Sequence, residues 1–342
     1  MRKLLLRPEA VIYLTLFIFV GVFAIFYFLL GQSSTGNFIS YTFGRSGKGI
    51  LWALIPLSFA FVFRLGVLWV RAFTRGVDPS TFFSRQSAVE FSKKAGEFFK
   101  NLLFVGVPFV LSFYALTSAL GQLNIFNSTR LKDELLFQWD VFLTHTFPPL
   151  SLSAVEYPQW FIGAVDFSFS SLVAAFALFG AYLFYANQKL FREAAIAFCV
   201  GSLLAFAGWV LFPVLSPHDR FIDNVYNLSM PSEVRSYVQE YDPQEEIRVF
   251  LEGMRKSKEN LSVLPTSTFP SAHVFWAGLL VYYAYRLYRW LIVLALPFAV
   301  FSSIGTFLFA QHYFVDVPAG IVVAVISVLI ASAWAKKYGY IQ

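Results

Sequence analysis

The sequence contains eight apolar runs that are long enough to cross a lipid bilayer, and this feature constrains the fold more than any other. A membrane-spanning helix needs about 20 predominantly apolar residues. The chain is 58% hydrophobic and only 13% charged, whereas about a quarter of the residues in soluble domains are charged. We therefore predict an all-α, polytopic integral membrane protein. The runs occupy residues 10–30, 50–73, 102–120, 161–185, 194–215, 272–288, 291–310 and 314–335.

The chain is expected to have two parts. Residues 1–100 hold the first two spans and a cytoplasmic connection, and residues 101–342 hold a core of six helices. We interpret the first run as a retained span, because the apolar region of a secretory signal is only about 7 to 15 residues long. The single cysteine, Cys199, excludes an intrachain disulfide. No pattern typical of nucleic-acid binding is present.

The distribution of Lys and Arg predicts how the chain is oriented in the membrane. Basic residues concentrate in the cytoplasmic connections of membrane proteins. When both termini are placed in the cytoplasm, the inner segments carry more Lys and Arg than the outer loops do. This orientation puts the starts of the sixth and eighth spans on the same extracytoplasmic face.

Two outer connections, residues 122–160 and 216–269, are too long to be turns and are expected to contain interfacial helices. In the second, Asp242 and Pro243 are typical of a helix start, and apolar residues then recur at helical spacing. This pattern predicts an amphipathic helix that covers the outer face as a lid. A solvated extramembrane hairpin is an equally open alternative. The apolar residues of the pattern are Ile247, Phe250, Leu251 and Met254.

The first candidate for chemistry is a histidine at the start of the sixth span. His273 follows Pro270 and Ser271 in a sequence that suits the first turn of a helix. The free N–H groups and the positive dipole end of such a helix attract phosphate. His273 is then placed to donate a proton to a leaving oxygen. A structural histidine at the level of the lipid headgroups is the alternative.

The second candidate is a histidine followed by a carboxylate four residues later. His312 and Asp316 open the eighth span, and residues at this spacing share one face of a helix. Asp316 can therefore hold the imidazole, which makes it an activated nucleophile or base. A carboxylate at the centre of a span costs roughly 2.5 to 3.5 kcal/mol, so it usually has a partner. A purely structural hydrogen bond is the alternative.

These two motifs resemble a known family. Pro-Ser-x-His and His-x-x-x-Asp are similar to the second and third motifs of the type 2 phosphatidic acid phosphatase superfamily. The sequences Phe-Pro-Ser and His-Tyr-Phe-Val-Asp most resemble those of its inositol phosphorylceramide synthase branch. The resemblance covers roughly residues 102–335, which would form a six-helix core. Gly208, Phe212, Pro213 and Pro217 resemble, more weakly, the proline-rich segment that precedes these motifs in that branch.

The resemblance implies a metal-independent transfer of a phosphate-containing group in two steps. His312 would attack phosphorus and form a phosphohistidine, and Asp316 would orient and charge-balance its ring. His273 would protonate the leaving alcohol and then deprotonate the acceptor. No cofactor or metal ion is implied.

The sequence also departs from the phosphatase branch, which has a Lys–Arg-Pro first motif and an arginine six residues before the second histidine. Thr306 occupies the latter position, and no clean Lys–Arg-Pro stretch precedes the sixth span. Arg220, just after the proline-rich segment, is the best substitute as a phosphate ligand. An ordinary contact between this arginine and lipid headgroups is an equally open reading.

Four further residues are candidates for substrate binding. Thr268 and Ser271 lie beside His273, Asp166 lies near the outer end of the fourth span, and Asp140 lies in the first long connection. An unpaired carboxylate at this depth suggests either a functional contact or a basic partner.

We therefore predict an integral membrane enzyme that moves a phosphate-containing headgroup from a lipid donor to a lipid or polyol alcohol, at the extracytoplasmic surface. The closest alternative is a phosphatase acting on phosphatidic acid or polyprenyl phosphates, with water as the acceptor. A non-catalytic lipid transporter is the second alternative. The expected partners are the lipid donor, the acceptor and the bilayer, and no nucleic acid. The sequence does not indicate the donor headgroup or the oligomeric state.

Overall fold

The computed structural model describes residues 131–260 and 267–337, together with a few isolated positions earlier in the chain. The first three predicted spans and the predicted unit of residues 1–100 lie outside these two ranges, so they stay predictions. Within the two ranges the fold is all-α, as the composition predicts, and contains no strand. The α-helices are α1 (Asp133–Thr144), α2 (Pro148–Ser151), α3 (Gln159–Ala186), α4 (Gln188–Leu211), α5 (Ser232–Gln239), α6 (Glu245–Asn260), α7 (Ala272–Leu287), α8 (Ile292–Leu308) and α9 (Asp316–Lys337).

Each of the last five predicted spans forms a helix. The segments Gln159–Phe184, Gln188–Leu211, Arg289–Leu308 and Asp316–Lys337 are long and apolar enough to cross a membrane. Helix α7 is apolar but has only 16 residues. The protein is therefore an integral membrane protein with several spanning helices.

The helix that carries His273 lies at the centre of the bundle. Helix α7 packs against α3, α4, α8 and α9, and its apolar side chains Phe275, Leu279 and Tyr283 belong to the main core cluster. Burial on several sides explains why α7 is apolar almost all round, as expected for a helix surrounded by other helices. His273, in its first turn, is consequently held by the best-packed element of the fold.

The long connections form a second layer at the histidine end of the bundle. Helices α1 and α2 lie in the predicted interfacial region 122–160, and α5 and α6 lie in the region 216–269. The pattern that begins at Asp242 does form a helix, although α6 starts at Glu245. Ile247 and Leu251 of α6 are buried against α3 and the end of α8. This helix therefore packs on the bundle, as the lid interpretation requires, and is not a free hairpin.

Candidate active site

The start of α7 is fixed by a serine cap and by α4. Ser271 is the N-cap residue, and its Oγ accepts a hydrogen bond from the backbone N–H of Val274 at 3.4 Å. The indole Nε1 of Trp209 on α4 donates to the Pro270 carbonyl at 3.1 Å. Gly208 permits this approach, because a Cβ at that position would lie 2.3 Å from the Pro270 ring. These contacts place His273 in a defined first turn.

His312 lies in a turn between α8 and α9, not on the helix that its spacing from Asp316 predicts. Its backbone N–H donates to the Thr306 carbonyl at 2.9 Å, and α9 begins only at Asp316. The expected contact is nevertheless made, since His312 Nδ1 and Asp316 Oδ2 are 2.9 Å apart. The same carboxylate oxygen accepts the backbone N–H of Tyr313 at 3.2 Å. The helical spacing predicted the right partner for His312 but the wrong backbone.

The two motifs meet at the same end of the bundle. The Ser271 N–H donates to the Asp316 carbonyl at 3.4 Å, and the rings of His273 and His312 have centroids 6.1 Å apart at an interplanar angle of 67°. A hydrogen bond from a catalytic side chain spans ~3 Å, so both rings can contact one small tetrahedral group. The sequence-predicted residues His273, His312, Asp316 and Ser271 are thus brought together.

The contact with Asp316 also decides which nitrogen of His312 is available. An ionised carboxylate can only accept hydrogen bonds, so an ionised Asp316 fixes the imidazole proton on Nδ1 and leaves the lone pair on Nε2. This Nε2 lies 3.4 Å from Ser271 Oγ. The arrangement leaves Nε2 as the nitrogen that can attack an electrophile.

His273 is oriented by an aromatic wall that the sequence does not reveal. Its ring stacks on Phe169 of α3, with centroids 4.5 Å apart and an interplanar angle of 5°. Phe169 in turn contacts Phe250 of α6 and Phe309, which stack on each other at 4.0 Å. Helix α6 therefore packs through Phe250 onto the same ring that orients His273.

Two buried carboxylates of α1 hold the loops around the site. Asp140 accepts the N–H groups of Phe314 and Val315, both at 2.9 Å. The pKa of Asp140 is raised to about 7, chiefly by burial and also by the neighbouring Asp316, although the two N–H groups oppose the shift. Both of its oxygens are engaged by the backbone, so the predicted contact with substrate has no support in this geometry.

Asp133, which the sequence analysis did not single out, has a similar setting. Its Oδ1 accepts the Leu215 N–H at 2.9 Å and the Tyr313 hydroxyl at 3.0 Å. Burial raises the pKa of Asp133 to about 7, although these hydrogen bonds and the charge of Arg220 lower it. Both partners are far away in the sequence, so only the position of an acid seven residues before Asp140 could have indicated it.

Arg220 lies in a π-helical turn, His218–Ile222, next to the loop between α8 and α9 that contains His312. The His218 N–H joins this turn to the loop by donating to the Ala310 carbonyl at 3.0 Å. The guanidinium is 4% exposed, and Nη2 donates to the Ser229 carbonyl at 2.7 Å. Nη1 is buried and has no hydrogen-bond partner in the part of the chain that the structure describes. Arg220 makes no hydrogen bond to either histidine among these residues, so its role as a phosphate ligand stays a prediction.

Of the two remaining candidates, Thr268 has its hydroxyl beside the Asp316 carboxylate. Thr268 is bound to the segment after α4, through its N–H to Val214 and its hydroxyl to the Leu215 carbonyl at 3.3 Å. Asp166 is half-exposed on α3 and accepts a hydrogen bond from Ser170 at 2.8 Å. Thr268 thus helps to dock the α7 start, and Asp166 is not joined to the histidines by a hydrogen bond within the described ranges.

One group in the described ranges has side chains of the types that ligate metals. Ligand atoms of His218, Asp219 and Asp223 lie within 4.8 Å of one another. His218 Nδ1 is 3.4 Å from one oxygen of Asp223, and Arg255 Nη1 is 3.9 Å from the other. Asp223 is therefore contacted by both His218 and Arg255, and the cluster does not include either motif histidine.

A comparison with known families places this geometry in context. A family model described as the PAP2 superfamily matches residues 134–330, more than half of the chain. No curated protein and no solved structure matches significantly. The matched range contains both histidine motifs and their helices. The chain belongs to the PAP2 superfamily, whose members are generally phosphatases or phosphotransferases.

Proposed function

We propose that the protein is a lipid phosphotransferase similar to the inositol phosphorylceramide synthase branch of the superfamily. It moves a phosphate-containing headgroup from a lipid donor to an alcohol through an intermediate on His312. The observation that carries the proposal is the position of His312, with Nδ1 2.9 Å from Asp316 and its ring 6.1 Å from that of His273. Membership of the superfamily supports lipid phosphatase or phosphotransferase chemistry in general.

In the first step, His312 Nε2 attacks the phosphorus atom of the donor. The N–P bond forms as the bond between phosphorus and the lipid alcohol oxygen breaks. His273 gives its proton to that oxygen, and the lipid leaves as a neutral alcohol. Asp316 stabilises the positive charge that develops on the His312 ring.

In the second step, an acceptor alcohol occupies the place of the departed lipid. His273, now neutral, takes the proton of the acceptor hydroxyl while the acceptor oxygen attacks phosphorus. The N–P bond breaks, and the electron pair returns to His312 Nε2. Both histidines are then in their starting protonation states, so the cycle needs no other reactant.

Three features near the rings support phosphate binding. Helix α7 has 16 residues and directs its N-terminal N–H groups towards this region, which favours an anion. Ser271 Oγ lies 3.4 Å from His312 Nε2. The buried Arg220 Nη1, which lacks a partner among the described residues, is a candidate donor to the phosphate oxygens.

The aromatic wall favours transfer to an alcohol over hydrolysis. Phe169, Phe250 and Phe309 pack beside His273, and an apolar lining admits a lipid alcohol more readily than water. Hydrolysis shares the first step, so the phosphatase alternative must be separated by its products.

The test uses the purified full-length chain in detergent with ³²P-labelled phosphatidylinositol or phosphatidic acid. We expect an acid-labile label on His312 that disappears when an alcohol such as ceramide is added and reappears in the phosphorylated alcohol. The variant His312→Gln should take up no label. His145→Asn is the matched control, because His145 is exposed on the α1 end and has the positive φ that asparagine tolerates.

Two results would change the conclusion. If only hydrolysis products form with and without the alcohol (inorganic phosphate from phosphatidic acid, or inositol phosphate from phosphatidylinositol), water is the acceptor, as in the phosphatase alternative. Absence of trapped label combined with unchanged activity in His312→Gln contradicts any enzyme of this mechanism and leaves the lipid transporter.

A further inference from the structure

Helix α1 buries two carboxylates on the side that faces the protein interior. Asp133 and Asp140 are two turns apart, so they lie on the same side of the helix, and their exposed fractions are 1% and 0%. The opposite side carries Phe142, which is 79% exposed. The buried side also carries Leu136 and Phe137, so the two carboxylates lie at either end of an otherwise apolar, buried face. Ionisable groups buried in membrane proteins are expensive and usually have a function.

The partners of the two carboxylates are concentrated in one short segment. Asp133 Oδ1 accepts the hydroxyl of Tyr313 at 3.0 Å. Asp140 accepts the N–H groups of Phe314 and Val315 at 2.9 Å each. These are the three residues between His312 and Asp316. Every residue that separates the two members of the histidine–aspartate pair is thus bound by a carboxylate of α1.

These hydrogen bonds fix the positions of His312 and Asp316 relative to each other. His312 is not on a helix, so the i,i+4 geometry does not hold its ring beside Asp316. A turn can take several conformations, and only some of them keep Nδ1 2.9 Å from Oδ2. The N–H groups of Phe314 and Val315 immediately precede α9, and no carbonyl of that helix can accept them. Asp140 supplies the missing acceptors from a separate element.

Asp133 connects the same segment to a second part of the site. Its Oδ1 also accepts the N–H of Leu215 at 2.9 Å, five residues before Arg220. The hydroxyl of Tyr313 is fully buried in this contact. One carboxylate therefore sets the distance between the segment that contains His312 and the segment that leads to Arg220.

We infer that Asp133 and Asp140 are positioning residues, which act through the backbone of residues 313–315 to hold His312 in attacking orientation. This inference rests on the proposed function, because it takes His312 as the nucleophile. It goes beyond it in assigning a positioning role to an interfacial helix whose two carboxylates make no hydrogen bond to either histidine within the described ranges.

The experiment compares Asp140→Asn with Glu134→Gln in the full-length protein in detergent. Glu134 is the matched control, because it lies on the same helix but is exposed. Misplacement of a reacting group by ~1 Å can reduce a rate about 100-fold, so we expect kcat of Asp140→Asn to fall by up to that factor, with KM and the melting temperature little changed. Hydrogen exchange at the amides of residues 314 and 315 should become faster.

A second variant guards against misfolding. Tyr313→Phe keeps the ring and removes only the hydroxyl that Asp133 accepts. Loss of one hydrogen bond to a charged group should lower kcat roughly tenfold, again at constant KM, with wild-type yield and elution volume. This variant tests the inference even if Asp140→Asn does not fold.

The outcomes separate this inference from the proposed function. If Asp140→Asn and Tyr313→Phe both turn over like Glu134→Gln, or lose activity only in proportion to unfolded protein, the positioning role is wrong. Unchanged amide exchange in Asp140→Asn also overturns it. If exchange becomes faster but the wild-type protein never carries label on His312, the positioning of the loop is supported and the proposed phosphotransfer fails.

Discussion

The two ends of the helical bundle both bury carboxylates, but they satisfy them with different partners. At the end away from the histidines, Glu193 of α4 is fully buried, 3.4 Å from Arg286 of α7 and 2.6 Å from the Ser332 hydroxyl of α9. At the histidine end, Asp133 and Asp140 accept backbone N–H groups and one tyrosine hydroxyl. The first end uses a charge pair between helices, and the second uses neutral donors from loops.

Because of this difference, we expect the carboxylate at the first end to contribute to stability and those at the histidine end to the reaction. A buried ion pair that joins three helices ties the bundle together whatever reaction occurs elsewhere. Carboxylates that accept backbone N–H groups fix the conformation of a loop, and they add no cation beside the place where phosphate would bind. We therefore expect changes at the two ends to affect different measurements.

The largest effect is expected for His273→Asn at the histidine end. Removal of a general acid typically lowers a rate by about 10²–10⁴, so the first step should slow by this factor with a natural lipid donor. A donor that carries a p-nitrophenol leaving group needs no protonation and should lose far less. The burst of p-nitrophenol measures this step alone. An equal loss with both donors would show that His273 is not the acid.

The next effect is expected for Glu193→Gln at the opposite end. Breaking a fully buried pair costs 3–5 kcal/mol, and since Arg286 is 30% exposed we expect about 2 kcal/mol here. The apparent melting temperature should fall, whereas activity per folded molecule should stay unchanged. Tyr282→Phe is the control, because it removes the 2.7 Å contact of Arg286 with that hydroxyl and leaves the ion pair. A loss of specific activity in Glu193→Gln would contradict the expectation that this end of the bundle affects stability alone.

A smaller effect is expected from pH. Burial raises the pKa of Asp133 and of Asp140 from 3.8 to about 7. A raised pKa in the folded protein means that the contribution of these groups to stability is complete below about pH 4 and is lost as the pH rises through 7. The hydrogen bond from Tyr313 and the charge of Arg220 oppose the shift at Asp133, whereas the charge of Asp316 adds to the shift at Asp140.

Melting curves between pH 4 and pH 8 measure this dependence. The apparent melting temperature of the wild-type protein should decrease over this range relative to that of the variant with both Asp133→Asn and Asp140→Asn. Glu134→Gln should follow the wild-type curve. Parallel curves for the double variant and the wild-type protein would mean that neither carboxylate titrates in this range.

The smallest effect is expected from chelation. Turnover should be unchanged in EDTA, because the proposed steps use only His273, His312 and Asp316. The cluster of His218, Asp219 and Asp223 makes the experiment informative. Loss of turnover that a single divalent ion restores would require a metal-dependent mechanism, and His218→Asn would then show whether this cluster binds the ion.

The sequence predicts the fold well wherever the signal is local. The apolar runs correspond to α3, α4, α7, α8 and α9, with differences at polar ends. Helix α4 begins at Gln188 although its apolar run begins at residue 194, because Asn187 caps it by accepting the Leu190 N–H. Polar first turns of this kind carry no hydropathy signal.

For the site, the sequence predicts only the contacts between residues of the same motif. The contact between His312 and Asp316 follows from a spacing of four residues. The role of Asp133 does not, because its partners Leu215 and Tyr313 are 82 and 180 residues away. Phe169 is one of 42 phenylalanines, so only the packing of α3 on α7 distinguishes it. Contacts between distant segments depend on helix packing, which periodicity does not specify.

One close contact between α7 and α9 is made by a residue without a side chain. A Cβ at Gly320 of α9 would lie 2.8 Å from the Ser271 carbonyl oxygen and 2.8 Å from the Val274 Cβ. A single added methyl group would therefore push α9, which begins at Asp316, away from the start of α7, which carries His273. The spacing between the two motifs thus depends on a glycine four residues after Asp316, outside both motifs.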